Sequence, residues 1–220
     1  MLDPAQALLD SPVLPRYLDR LRRVLDDEAV RRAQFVDDLS PEQKAEFING
    51  EVVVHSPARH RHNLITSRTV GLLGAYVRYH DLGEVVAEKA LVSLTRNDYE
   101  PDVCFFRKEV AESFTPDQWQ FPAPDFIAEV LSESTEKHDR GVKFEDYAAH
   151  RVGEYWLLDP LKQRAEFYSL GNDGLYQPLQ PENGALHSRV LTGFTLQLSW
   201  LWSNPLPPLL DVLRECGVLA

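Results

Sequence analysis

The chain has 220 residues, enough for one domain with a substantial core or for two small lobes, and its 44% hydrophobic and 26% charged content is that of a folded globular protein. With 23 basic residues against 34 acidic ones, the formal charge of -11 argues against a generic nucleic-acid binder without vetoing DNA as a partner, since metal-holding acids add to the negative total and a local basic patch can coexist with it. No apolar stretch approaches the roughly 20 residues of a membrane span, Met1 to Asp10 lacks the flank and core of a secretion signal, and Cys104 and Cys216 make no disulfide framework, so the expected compartment is the cytoplasm.

Leu14 to Phe35 carries Leu14, Tyr17, Leu18, Leu21, Val24 and Leu25 among charged residues, a spacing that predicts an N-terminal helix. Asn49-Gly50, between Glu46-Phe47-Ile48 and Glu51-Val52-Val53-Val54-His55, predicts a two-residue hairpin ended by Ser56-Pro57. From Arg59 to Tyr79 the apolar residues Leu64, Ile65, Leu72, Leu73, Tyr76 and Val77 recur at helical period, predicting a long helix packed on a sheet and closed by Gly83. Val85 to Leu94 reads as strand with a hairpin break near Glu88-Lys89, and Asp102 to Phe106 and Phe126 to Leu131 read as further strands. Ser132-Glu133-Ser134-Thr135 leads into a helix through Val142, Phe144, Tyr147 and Ala148 that stops near Gly153; Tyr155-Trp156-Leu157-Leu158 is then a buried strand. Short strands at Ala165 to Leu170, Leu175 to Leu179, Val190-Leu191 and Thr195 to Leu198 suggest a β-meander, with a closing turn and helix from Pro205 to Leu213. The expected fold class is α/β of mixed α+β character in a single domain, with a core over 47–160, an N-terminal helical extension over 1–46 and a β-rich extension over 161–220.

The chemistry concentrates in two of these strands, each of which carries one carboxylate among apolar neighbours. Burying an ionised carboxylate without a partner costs several kcal/mol, so such a pair calls for a cation, a proton or a metal. If the strands are neighbours, Asp102 and Glu129 converge on one hard divalent cation, which can polarise a phosphoryl oxygen and activate a water. Asp139, Lys143 and Tyr147 fall at i, i+4 and i+8 on the following helix, so Lys143 either reaches back over the carboxylates or sits in solvent paired with Asp139 or Asp146. Glu88, in the strand before Asp102, either completes the carboxylate cluster or pairs with Lys89 and solvent. The basic stretches Arg16 to Arg32 and Arg59-His60-Arg61-His62 read first as solvated helix faces. His60 and His62 lack a third ligand at zinc spacing, and Ser132 and Ser134 sit in no Gly-x-Ser-x-Gly turn.

Together these residues carry a family resemblance. Pro101-Asp102, Glu129-Val130-Leu131-Ser132, Asp139-Arg140-Gly141-Val142-Lys143 and Glu154-Tyr155-Trp156-Leu157-Leu158-Asp159-Pro160 resemble the bacterial Uma-two endonuclease family of the PD-(D/E)XK restriction-endonuclease-like superfamily. The Asn49-Gly50-Glu51 hairpin, the Ser56-Pro57 turn, and His62 with Ile65 extend the resemblance, which spans Phe47 to Leu198. It implies a mixed core sheet of four strands flanked by helices, Mg²⁺-dependent phosphodiester hydrolysis and a homodimer. By position, Asp102 matches the first acid of the motif and Glu129 the second. Leu131 stands where the motif's lysine belongs, and Lys143 matches a lysine relocated to the next helix.

The expected function is therefore a metal-dependent DNA endonuclease. Asp102 and Glu129 hold Mg²⁺ or Mn²⁺, Lys143 assists the attacking water, and Glu88 supports the cluster; DNA is the substrate and no membrane is involved. The alternative is a catalytically silent, dimeric protein-interaction module that keeps the nuclease-like fold, motivated by the acidic surface and the missing strand lysine.

Overall fold

Two units make up the chain, Met1–His55 and Ser56–Ala220, and the computed structural model describes residues 4–40 and 42–219. In the first unit, helix α1 (Pro4–Leu9) lies against helix α2 (Leu14–Asp38), which opens with a proline where the missing N–H costs nothing. The later part of α2 packs on a hairpin of β1 (Ala45–Ile48) and β2 (Glu51–Val54), with the Phe35 and Phe47 ring centroids 5.8 Å apart. Asn49 and Gly50 take φ of 50° and 86°, the left-handed pair that a tight hairpin turn requires, and Arg31 Nε donates to the Gly50 carbonyl at 3.1 Å. The apolar stripe of the first half of α2, Leu18, Leu21, Val24 and Leu25, stays exposed.

The second unit opens with α3 (His60–Tyr79), the long helix expected from its apolar period. There follow β3 (Gly83–Ala87), β4 (Leu91–Ser93), β5 (Asp98–Tyr99), β6 (Val103–Arg107), α4 (Lys108–Ala111), β7 (Gln120–Phe121) and β8 (Phe126–Val130). Then come α5 (Glu136–Asp139), α6 (Val142–Ala149), β9 (Glu154–Asp159), β10 (Arg164–Leu170) and β11 (Tyr176–Pro178). The chain finishes with β12 (Ala185–His187), β13 (Thr195–Gln197), α7 (Ser199–Trp202) and α8 (Leu209–Glu215). Six strands form the main sheet in the order β11-β10-β9-β8-β6-β3, parallel between β8 and β9 and antiparallel elsewhere. The mixed, helix-flanked sheet agrees with the sequence reading.

Strand alternation explains the two layers. Phe126, Ala128 and Val130 of β8 and Trp156 and Leu158 of β9 share a core with Ile65, Leu72, Leu73, Tyr76 and Val77 of α3. Their neighbours point the other way: Tyr155 lies 5.2 Å, ring to ring, from Tyr147 of α6. Glu129, between Ala128 and Val130, therefore faces the α6 layer.

Four details depart from the sequence reading. Gly83 does not close α3, which ends at Tyr79; it opens β3 at φ 144°, where a Cβ would lie 2.0 Å from the Phe106 carbonyl oxygen. The stretch from Val85 to Leu94 is no hairpin, because β3 pairs with β6 whereas β4 pairs with β5 and β7. Glu88 and Lys89, with φ of 50° and 52°, turn the chain from one sheet to the other. The helix after Ser132 is broken at Gly141, whose Cβ would come within 2.9 Å of the Lys137 carbonyl oxygen. In the C-terminal region β10 and β11 continue the main sheet as a meander, and β13 pairs with Ala185–His187 and not with Val190-Leu191, which forms no strand. Among the described residues no helix is long and apolar enough to cross a membrane.

Candidate active site

Antiparallel pairing of β6 with β8, Val103 opposite Ala128, brings Asp102 beside Glu129. Asp102 Oδ2 accepts the Val130 N–H at 2.8 Å, and the Asp102 N–H points to Glu129 Oε2 at a long 3.4 Å. Both residues are almost fully buried, at 4% and 3% exposed. The two acids singled out in the sequence thus meet at one end of the sheet.

Lys143 comes to them from the α6 layer. Its Nζ donates to Glu129 Oε1 at 3.0 Å and lies 3.1 Å from Asp139 Oδ1, with 2% of the residue exposed. The reading of Lys143 as a solvated lysine is thereby excluded. Tyr147 Oη donates to the same Glu129 oxygen at 2.9 Å, so Asp139, Lys143 and Tyr147 meet on one side despite the break at Gly141. Tyr99 closes the floor, its ring centroid 5.7 Å from Lys143 Nζ and 5.3 Å from the Tyr147 ring. The Tyr99 hydroxyl is itself held by Asp146 at 2.8 Å, a carboxylate that also accepts from Asn97 at 2.6 Å and meets His150 Nδ1 at 3.0 Å.

His62, on the first turn of α3, places Nε2 3.2 Å from Asp102 Oδ2. In the sequence His62 offers only an incomplete zinc pair with His60, and nothing in its local spacing links it to a carboxylate so much later in the chain. Asp139 and Tyr147 were legible as companions of Lys143 through their helical spacing, though not as contacts of Glu129. Glu88 stands apart: its side chain is exposed, and its backbone N–H donates to the Asp102 carbonyl at 3.3 Å. Burial, then the charges of Glu129 and Glu84, push the Cys104 thiol well above its ordinary range, so this cysteine stays protonated and inert.

The donor set suits a hard cation. Mg²⁺ is commonly held by one or two carboxylates, with water and substrate phosphate filling the remaining positions, and Asp102 and Glu129 present two such groups on adjacent strands. Among the described residues no group of three or more His, Cys, Asp or Glu side chains is arranged to hold a metal by itself. Any cation here would take water or substrate oxygens for the rest of its shell.

The mixed sheet flanked by helices is a nuclease-like fold. The family model described as "Putative restriction endonuclease" matches residues 31–199, and the chain belongs to that family, Uma2. A curated relative from Synechocystis sp. (strain ATCC 27184 / PCC 6803 / Kazusa), "Uncharacterized protein sll1609", is 31% identical over 134 residues, covering 60% of this chain and 75% of the relative. The fold is also similar to the crystal structure of "a putative nuclease belonging to DUF820 from Anabaena variabilis ATCC 29413", with a TM-score of 0.65 at 17% identity, covering 76% of this chain and 94% of that one.

Proposed function

We propose that the protein is a metal-dependent endonuclease that hydrolyses phosphodiester bonds in DNA and works as a homodimer. The observation that carries the reading is the buried Lys143 ammonium 3.0 Å from Glu129 Oε1, beside Asp102, which answers the leucine at the motif's lysine position. Asp102 and Glu129 would hold Mg²⁺ or Mn²⁺, which when bound supplies Lewis-acid polarisation of the scissile phosphate. Lys143, anchored by Glu129 and Asp139, orients the attacking water and meets negative charge developing on the phosphate oxygens. Tyr147 steadies Glu129, and His62 steadies Asp102. Glu88 contributes through its backbone N–H alone, in the turn that hydrogen-bonds to the Asp102 carbonyl.

Plasmid cleavage in Mg²⁺ tests the reading. Asp102→Asn is expected to lower the rate by about 100-fold or more, on the scale of removing one electrostatic contributor to a transition state; equal rates would remove Asp102 from the mechanism. The silent interaction module remains the second reading, favoured by the net charge of -11. Calorimetric titration with Mn²⁺ separates the two, since the nuclease requires binding that Glu129→Gln abolishes.

A further inference from the structure

The main sheet ends in β11 on one side and β3 on the other. β11 has three residues and finishes on Pro178, which has no N–H to offer a further strand. β3 has neither protection. It runs five residues in unbroken register with β6, contains no proline or lysine, and among the described residues no strand pairs with its outer edge. Alongside it, Val70, Gly71, Gly74 and Ala75 of α3 line a groove of about 730 Å³, where a Cβ at Gly71 or Gly74 would meet nothing within 4 Å.

We propose that β3 and this glycine face of α3 form the two-fold interface of the homodimer, with β3 pairing antiparallel to the β3 of a second copy. The proposal rests on the homodimer part of the reading above and not on the metal chemistry. A pairing centred on Val85 sets that β-branched residue against its own copy, Gly83 opposite Ala87, and Glu84 opposite Val86. The only charged residue of the strand thus avoids its own copy. α3 packs over β3 and β6, so centring it between them would leave the two copies of the helix about two strand spacings, or roughly 10 Å, apart across the axis. Helices pack at that distance, and glycines let them come closer. The groove also carries both signs of charge, Arg78 and Lys108 with Asp81, Glu84 and Glu112. Lys108 already pairs with Asp81, and a two-fold axis offers Arg78 the acids of the other copy. A strand from a strongly charged foreign peptide would meet like charge somewhere along the same groove, which favours a second copy as the occupant.

Sedimentation velocity on the full chain supplies the first test. The wild type is expected to sediment as a dimer, and Gly74→Glu as a monomer of half the mass with an unchanged circular dichroism spectrum, because glutamate favours helix more than glycine does and the position is open. A monomeric wild type would overturn both the interface and the homodimer; a dimeric Gly74→Glu would overturn the interface alone. The register is tested by oxidation in a Cys216→Ser background. Val85→Cys is expected to give a disulfide-linked dimer on a non-reducing gel and Ala87→Cys, which lies opposite Val103 and not Cys104, none, and equal crosslinking of the two would overturn the pairing centred on Val85.

Discussion

Lys143 sits within 3.1 Å of two buried carboxylates, Glu129 and Asp139, and what it contributes to stability can be separated from what it contributes to chemistry. Removing one partner of a buried charge pair leaves the other uncompensated, so Lys143→Met is expected to cost about 3–5 kcal/mol in urea denaturation. Adding Asp139→Asn should return part of that loss, while cleavage stays abolished in both variants. Glu154 gives a second residue-scale prediction. Its Oε2 accepts from Ser188 Oγ and the Arg189 and Val190 N–H groups, and its Oε1 from Trp156 Nε1. An amide nitrogen cannot accept, so Glu154→Gln orphans at least one donor at a cost of about 1–3 kcal/mol. Burial holds this carboxyl above its ordinary pKa in spite of those donors. A raised native pKa gives a contribution that is fully present below the unfolded-state value and lost as pH rises through the native one. The cost of Glu154→Gln, read by thermal unfolding at about pH 4 and about pH 7, should therefore be larger at the lower pH.

At the level of elements, the site depends on how α5 and α6 are joined. Gly141→Ala would push a Cβ to 2.9 Å from the Lys137 carbonyl oxygen, and overpacking of that kind costs about 1–3 kcal/mol. Because α6 carries Lys143, cleavage is expected to fall together with the unfolding midpoint; a stable variant with full activity would show that the joint does not position the lysine. The elements most legible in the sequence were those with a strong local period or turn signal: α2, α3, the Asn49-Gly50 hairpin and β8. The boundary at Gly83 and the division of β3 from β4 were not legible. A glycine after a helix and two residues at positive φ give the same local signal whether the chain folds back on its own strand or crosses to a different sheet, and only pairing with β6 decides between them. The same holds for His62, whose contact with Asp102 exists only once α3 lies over the sheet.

For the molecule as a whole, the net charge of -11 opposes approach to a polyanion, so the proposed contact with DNA would have to be local. Arg59 and Arg61 precede His62 at the start of α3, and His62 meets Asp102 at the end of the sheet. Arg59→Ala and Arg61→Ala are each expected to weaken DNA binding evenly across sequences and to reduce the salt slope by about 1, measured by fluorescence anisotropy between about 50 and 200 mM salt. An unchanged slope would take these arginines out of the DNA-binding surface.

The break at Gly141 also bears on how such a chain can evolve. A lysine two positions after the glutamate on one strand is tied to it by a fixed alternation, and the joint length of the segment that follows is then free to drift. Here Leu131 fills that strand position in the core, and the distance from Glu129 to Lys143 is counted through two short helices and the link between them. Deleting one residue from that link would swing the lysine by about 100° around the helix and away from the acids. Insertions and deletions should therefore be purged between Glu129 and Lys143, while the leucine is free to exchange for any residue of similar bulk.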